Sequence, residues 1–120
     1  MLHTELPIYK KGCDLLSLAL DVQAQMPRAF KRSVGDKIHH HCVEMLDLMA
    51  MANATKRAER AANIEALLKH QRATTVLLRV SFDKHFISPK LWGQSVQLLD
   101  NIGQQAGGWL KSSRNTVPAA

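Results

Sequence analysis

Apolar residues recur along this chain every three or four positions, the repeat of amphipathic helices with one face turned from water. Sparse breakers divide the pattern into four stretches: Pro27 with Gly35, the Asn53-Ala54-Thr55 segment, and Ser88-Pro89. Each stretch is long and poor in β-branched residues, which favours helix over strand. The first covers about 8–25, with Tyr9, Cys13, Leu16, Leu20 and Ala24 on its expected inner stripe. Met26-Pro27 should end it, because the residue before a proline avoids helical backbone angles. The second covers about 33–52, with Val34, Ile38, Cys42, Met45, Met49 and Ala52 inward and Ser33 as its expected cap.

The third stretch, about 55–85, begins at Thr55 as a plausible N-cap. It carries Ile64, Leu68, Thr75, Leu78, Phe82 and Phe86 on its main stripe, bordered by Leu67. At 100 degrees per residue, Ala73, Val76, Leu77 and Val80 fall on another side of the same helix. The fourth follows Ser88, with Pro89 suited to the first turn. Trp92, Val96, Leu99, Ala106 and Leu110 share its inner face, with Leu98, Ile102 and Trp109 beside them. Gly103, Gly107 and Gly108 each cost such a helix about 1 kcal/mol relative to alanine. They point to a bend or a close backbone approach, and with Trp109 they read as a fold motif.

These elements predict an all-α, antiparallel up-and-down four-helix bundle over residues 8–114, with flexible ends at 1–7 and 115–120. A chain of 120 residues builds one core, and that core has little room to cover both sides of the third helix. We therefore expect a homo-oligomer, with Ala73, Val76, Leu77 and Val80 at its contact surface. The alternative is that these four pack against two neighbouring helices of the same bundle.

Composition narrows the class. Apolar types make up 46% of the chain, an ordinary globular value. No uncharged apolar run approaches the length of a membrane span, and the first residues lack the order of a signal peptide. Two cysteines, Cys13 and Cys42, are too few for a disulfide framework and lack metal-binding spacing. A cytoplasmic protein with buried, reduced thiols and no cofactor is the expectation.

Charge points to the partner. Sixteen Lys and Arg against ten Asp and Glu leave +6 with histidines neutral, and the excess is uneven. Residues 22–43 hold Arg28, Lys31, Arg32 and Lys37 against Asp36. Lys56, Arg57 and Arg60 form a second cluster beside Glu59, and after residue 83 the bases Lys84, Lys90, Lys111 and Arg114 face only Asp100. On the third helix Lys69, Arg72 and Arg79 occupy a narrow sector next to the main stripe. A basic surface of this kind suits nucleic acid or another anionic partner, whereas an aromatic content of 5% disfavours base stacking. The competing explanation pairs Arg79 with Asp83 and Arg72 with Glu65 or solvent, and leaves Arg28, Lys31 and Arg32 as solvated loop charges.

Chemistry has few candidates. His39-His40-His41-Cys42 cannot converge on one ion, because consecutive helical side chains diverge by about 100 degrees. Only His39 and Cys42 share a face, so a metal would need His3, His70 or His85 from elsewhere. No phosphate loop, HExxH, GxSxG or GxGxxG motif is present, and Glu44 with Asp47 lacks a second acidic pair. We therefore expect neither catalysis nor a bound metal.

Several segments resemble a known family. They are Tyr9, Met26-Pro27-Arg28, Leu77-Leu78-Arg79, Ile87-Ser88-Pro89, and the closing Ile102-Gly103 and Gly107-Gly108-Trp109-Leu110-Lys111. In order and spacing they resemble the accessory variability determinant (Avd-like) proteins of diversity-generating retroelements. That group lies within the wider four-helix-bundle proteins encoded by ribosomal RNA intervening sequences. The resemblance implies a non-catalytic homopentameric barrel that binds the retroelement's reverse transcriptase and template RNA during mutagenic complementary-DNA synthesis. DNA is a further candidate ligand and no membrane is implied. Arg79 matches the second of two third-helix arginines typical of these proteins, and Thr75 stands where the first would be. The binding candidates are Arg28, Lys31, Arg32, Arg57, Arg60, Lys69, Arg72 and Arg79. The alternative is a structural bundle of the intervening-sequence type with weak nucleic-acid binding.

Overall fold

The computed structural model describes residues 1–115 of the chain. Four long helices carry it: α1 (Pro7–Gln25), α2 (Asp36–Ala54), α3 (Arg57–Asp83) and α4 (Pro89–Asn115). They form an antiparallel bundle measuring 57 × 21 × 21 Å. Each helix packs against two neighbours, in the cyclic order α1–α2–α3–α4, so α1 and α3 lie diagonally across the core. The up-and-down arrangement expected from the pattern is therefore present. At the N-terminus His3–Glu5 make a single 3-10 turn, and the Asn53 side chain donates to the Met1 carbonyl at 3.0 Å. The expected tail at 115–120 falls, beyond Asn115, outside the described residues.

The core is continuous, with Leu15, Val22, Ile38, Met45, Met49, Ile64, Leu67, Leu78, Leu99 and Ile102 nearly withdrawn from solvent. Burying one such side chain stabilises a fold by about 1.5–3 kcal/mol. On α2 the expected face holds from Ile38 to Ala52, with Leu46 added and Val34 half-buried. On α1 it does not. The buried positions are Ile8, Gly12, Leu15, Leu18, Ala19 and Val22, while Cys13 and Ala24 are exposed and Leu20 is 53% exposed. The expected stripe lies one residue away from the real one and shares its repeat. Gly12 chooses between them: a Cβ there would stand 2.7 Å from Leu46 Cδ2, so α1 presents its glycine where α2 comes closest.

The ends of the helices differ from expectation for local reasons. Ser33 does not cap α2, because helical backbone already runs through the turn Arg28–Phe30 and the wide π turn Lys31–Gly35. Ser33 instead reaches back to the Phe30 carbonyl at 3.5 Å. Thr55 closes α2 rather than opening α3, its hydroxyl donating to the carbonyls of Met51 and Ala52. The α3 terminus is a Schellman closure. The His85 N–H donates to Phe82, the Phe86 N–H donates to Ser81, and His85 takes φ 60°, where glycine is usual.

The main stripes of α3 and α4 also shift by one position in places. Thr74 and Ser81 are buried where Thr75 and Phe82 were expected, and their hydroxyls donate to the carbonyls four residues back. Leu91 and Ser95 are buried on α4, with Trp92 and Val96 half-buried beside them. Through Gly103, Gly107 and Gly108, α4 stays helical without interruption to Asn115. Cβ atoms at Gly107 and Gly108 would meet nothing within 4 Å, and one at Gly103 only the Gln71 side chain.

Candidate nucleic-acid interface

The connections α1–α2 and α3–α4 meet at one end of the bundle. Phe30 stacks on Phe86 with ring centroids 4.5 Å apart, and the Ser88 N–H donates to Gln25 Oε1 at 3.1 Å. Gln23 holds the first connection in shape, its Nε2 donating to the Lys31 carbonyl at 2.9 Å and to Asp36 Oδ1 at 2.7 Å. Gly35 makes room for it, because a Cβ there would lie 2.6 Å from Gln23 Cγ. Arg28 and Arg32 are exposed on this connection and Lys31 is half-buried. The stacked rings bring exposed Lys84 and Lys90 to the same end, and Lys37 follows on the first turn of α2. None of these six cations forms an ion pair among the described residues. The sequence shows Lys37, Lys84 and Lys90 as surplus charge, but only the packing of the two connections assigns them to this surface.

Arg57 and Arg60 lie at the opposite end, beside α2's C-terminus. Arg57 is exposed and opens α3 with φ 53°. Arg60 is half-buried and its donors are occupied: Nε donates to the Ala52 carbonyl at 2.8 Å and Nη2 to Asn53 at 3.3 Å. Its guanidinium carbon also stands 5.9 Å from the centre of the Trp109 ring. These contacts close the last turn of α2, whose carbonyls lack partners within the helix. Trp109 is half-buried and packs against the core.

The three α3 bases share an outward sector. Lys69 and Arg72 are exposed and unpaired among the described residues, since Glu65 takes Arg114 instead. Arg79 pairs with Asp83 at 3.1 Å, both side chains more than half exposed, and its guanidinium carbon stands 5.9 Å from the Trp92 ring centre. An exposed pair of this geometry contributes about 0.3–0.5 kcal/mol, so it is readily exchanged for another partner. The second apolar side of α3 is divided. Leu77 packs on the protein's own core and Ala73 is half-buried, whereas Val76 is 61% and Val80 48% exposed. Thr75 donates its hydroxyl to the Gln71 carbonyl at 2.9 Å.

Histidines and thiols behave differently from one another. His41 on α2 and His70 on α3 face each other with their Nδ1 atoms 2.9 Å apart. Such a contact needs one ring to donate and the other to accept, so the pair is at least partly neutral. Burial, then His70 and His40, lowers the His41 pKa against the opposing pull of Glu44. No group of three or more His, Cys, Asp or Glu that could hold a metal occurs among the described residues. Cys42 is buried, which pushes its thiol up to about 12. Cys13 is exposed, contrary to the expectation of two buried thiols.

The described residues thus form a helical bundle whose cationic end carries no ion pair and which assembles no metal-donor cluster. No described helix is long and apolar enough to cross a membrane. The family model described as bAvd-like matches residues 6–113, and the chain belongs to that family. No curated protein and no solved structure matches it.

Proposed function

We propose that this protein is a non-catalytic accessory subunit that assembles as a homopentameric barrel. In this reading it binds a retroelement reverse transcriptase and template RNA and supports mutagenic complementary-DNA synthesis. Membership of the bAvd-like family supports the reading. The observation that carries its chemistry is the cluster of unpaired cations around Arg28, Lys31 and Arg32, held by the Phe30–Phe86 stack. Cations not neutralised within the protein are free to displace condensed counterions from a phosphate backbone. Exposed Lys69 extends the positive surface along α3, and Arg57 adds a charge at the far end. The work sits within a cytoplasmic complex and needs no cofactor.

A second reading, a structural bundle of the intervening-sequence type, draws support from Arg60 and Arg79. Both expected binding residues are engaged within the protein, and Thr75 replaces the first family arginine. Co-expression with a retroelement polymerase and its template RNA separates the two. The first reading expects all three to co-purify, with RNA affinity falling steeply as salt rises. Replacing Arg28, Lys31 and Arg32 with alanine should flatten that dependence by about 0.7–0.9 in log–log slope for each phosphate contact removed. Absence of RNA binding at low salt, or an unchanged slope in the triple variant, rejects it.

A further inference from the structure

A shallow groove of about 570 Å³ runs between α1 and α4 on the face of the bundle away from α2 and α3. Asp14 and Asp21 line it, with Ser17, Leu18 and Leu98 between them. Both aspartates are exposed, and neither forms an ion pair among the described residues. On α3, diagonally opposite, Arg72, Val76 and Arg79 form an exposed ridge. One surface is acidic and concave, the other basic and convex. Within a single copy they cannot meet.

Their registers agree. Asp14 and Asp21 are seven residues apart, as are Arg72 and Arg79, which places each pair about 10.5 Å apart along its helix. Alternate helices of an up-and-down bundle run in the same direction, so α1 and α3 are parallel. Their levels can be compared through α4. Gln25 meets Ser88 where the antiparallel α1 and α4 come together, so among the groove's lining residues Asp21 falls near the level of Gln94 and Asp14 near that of Asn101. Across the α3–α4 seam Phe82 stacks on Trp92, and Gln71 donates to the Leu99 carbonyl. Asp21 and Arg79 therefore stand near one level along the bundle, and Asp14 and Arg72 near another. Val76 stands between, at the height of Leu18.

We propose that the α1–α4 groove of one copy receives the α3 ridge of the next. Asp14 then faces Arg72 of the partner subunit, and Asp21 faces Arg79 of the partner subunit. A ring about an axis parallel to the helices keeps all copies level, so this head-to-tail contact repeats without a shift in register. Val76 enters the groove over Leu18 and Leu98 and loses its exposure to water. Arg79 exchanges an exposed intramolecular partner for one between subunits. The contact rests on the oligomeric reading above and deepens it. It also assigns Arg72 and Arg79 to assembly, leaving the Arg28, Lys31 and Arg32 end for the anionic partner.

Sedimentation of the full chain, with circular dichroism to verify folding, tests the contact. A wild-type monomer at high micromolar concentration would overturn the oligomeric reading and this contact together. Given an oligomer, Asp14→Lys with Asp21→Lys should weaken assembly at least about 100-fold, since two attractive pairs become repulsive. Arg72→Asp with Arg79→Asp should do the same, and joining all four changes should restore assembly by exchanging the charges. Lys11, at the groove's end, stands near the level of Lys69, so Lys11→Glu should tighten the wild-type assembly. An oligomer that withstands either double reversal, or a four-fold variant that fails to recover, overturns the contact while leaving the oligomer standing.

Discussion

Arg60 offers a test in which stability and binding should separate. Its guanidinium donates at 2.8 and 3.3 Å to two carbonyls in the last turn of α2 and lies over Trp109 of α4. Hydrogen bonds to a charged group contribute about 1.5–3 kcal/mol where both partners are shielded. Here the side chain is half-buried, water can replace part of the loss, and the longer bond is the weaker. The ring contact adds about 0.5–1 kcal/mol. Arg60→Ala should therefore cost about 2 kcal/mol, which lowers the urea midpoint by about 1 M for a domain of this size. Arg60→Lys should recover less than half, because one ammonium cannot span both carbonyls as the fork does. At a temperature where both proteins are folded, the salt dependence of RNA binding should match wild type. Arg57→Ala at the same end should show the converse, with little effect on stability and a shallower salt slope. An unchanged midpoint in Arg60→Ala, together with weakened RNA binding, would refute the assignment of this side chain to the fold.

Three further outcomes follow from the geometry. His85 holds a left-handed backbone at the α3 terminus, so His85→Gly should stabilise the protein by about 1 kcal/mol, read as a higher melting temperature. The depressed His41 pKa favours the neutral ring in the folded state, so stability should be full above about pH 6.5 and decline as pH falls from there towards the lowered value. Urea midpoints across that range should lose most of this slope in His41→Gln; an equal slope in the variant would mean that other groups carry it. Ellman's reagent at pH 8 should find one fast thiol, Cys13, and a second only on unfolding, because burial holds the Cys42 thiol at about 12.

The helical repeat made the four elements legible, because burying one side of each cylinder requires apolar residues every three or four positions. It left the exact face undecided on α1, where two neighbouring stripes satisfy the same repeat. Gly12 resolved the choice through a contact with Leu46 that lies 34 residues away in sequence and is invisible to local pattern. Helix ends were ambiguous even within the local sequence. Thr55 is as good a first residue for α3 as a last one for α2, and its hydroxyl takes the carbonyls of Met51 and Ala52, four and three residues back.

The candidate site divides along the same line. Net charge and the local crowding of Arg28, Lys31 and Arg32 are properties of composition and order, so a cationic surface could be read directly. Whether each cation is free is a property of tertiary neighbours. Arg60 met two carbonyls and a tryptophan, Arg79 met Asp83, and Arg72 lost Glu65 to Arg114. Lys84 and Lys90 joined the first connection only because Phe86 stacks on Phe30. Helix formation and net charge depend on residues close in sequence and on simple sums, so the amino-acid order alone determined them. Partner choice among charged side chains depends on which distant residues packing brings within a few ångströms, and that only the folded bundle decided.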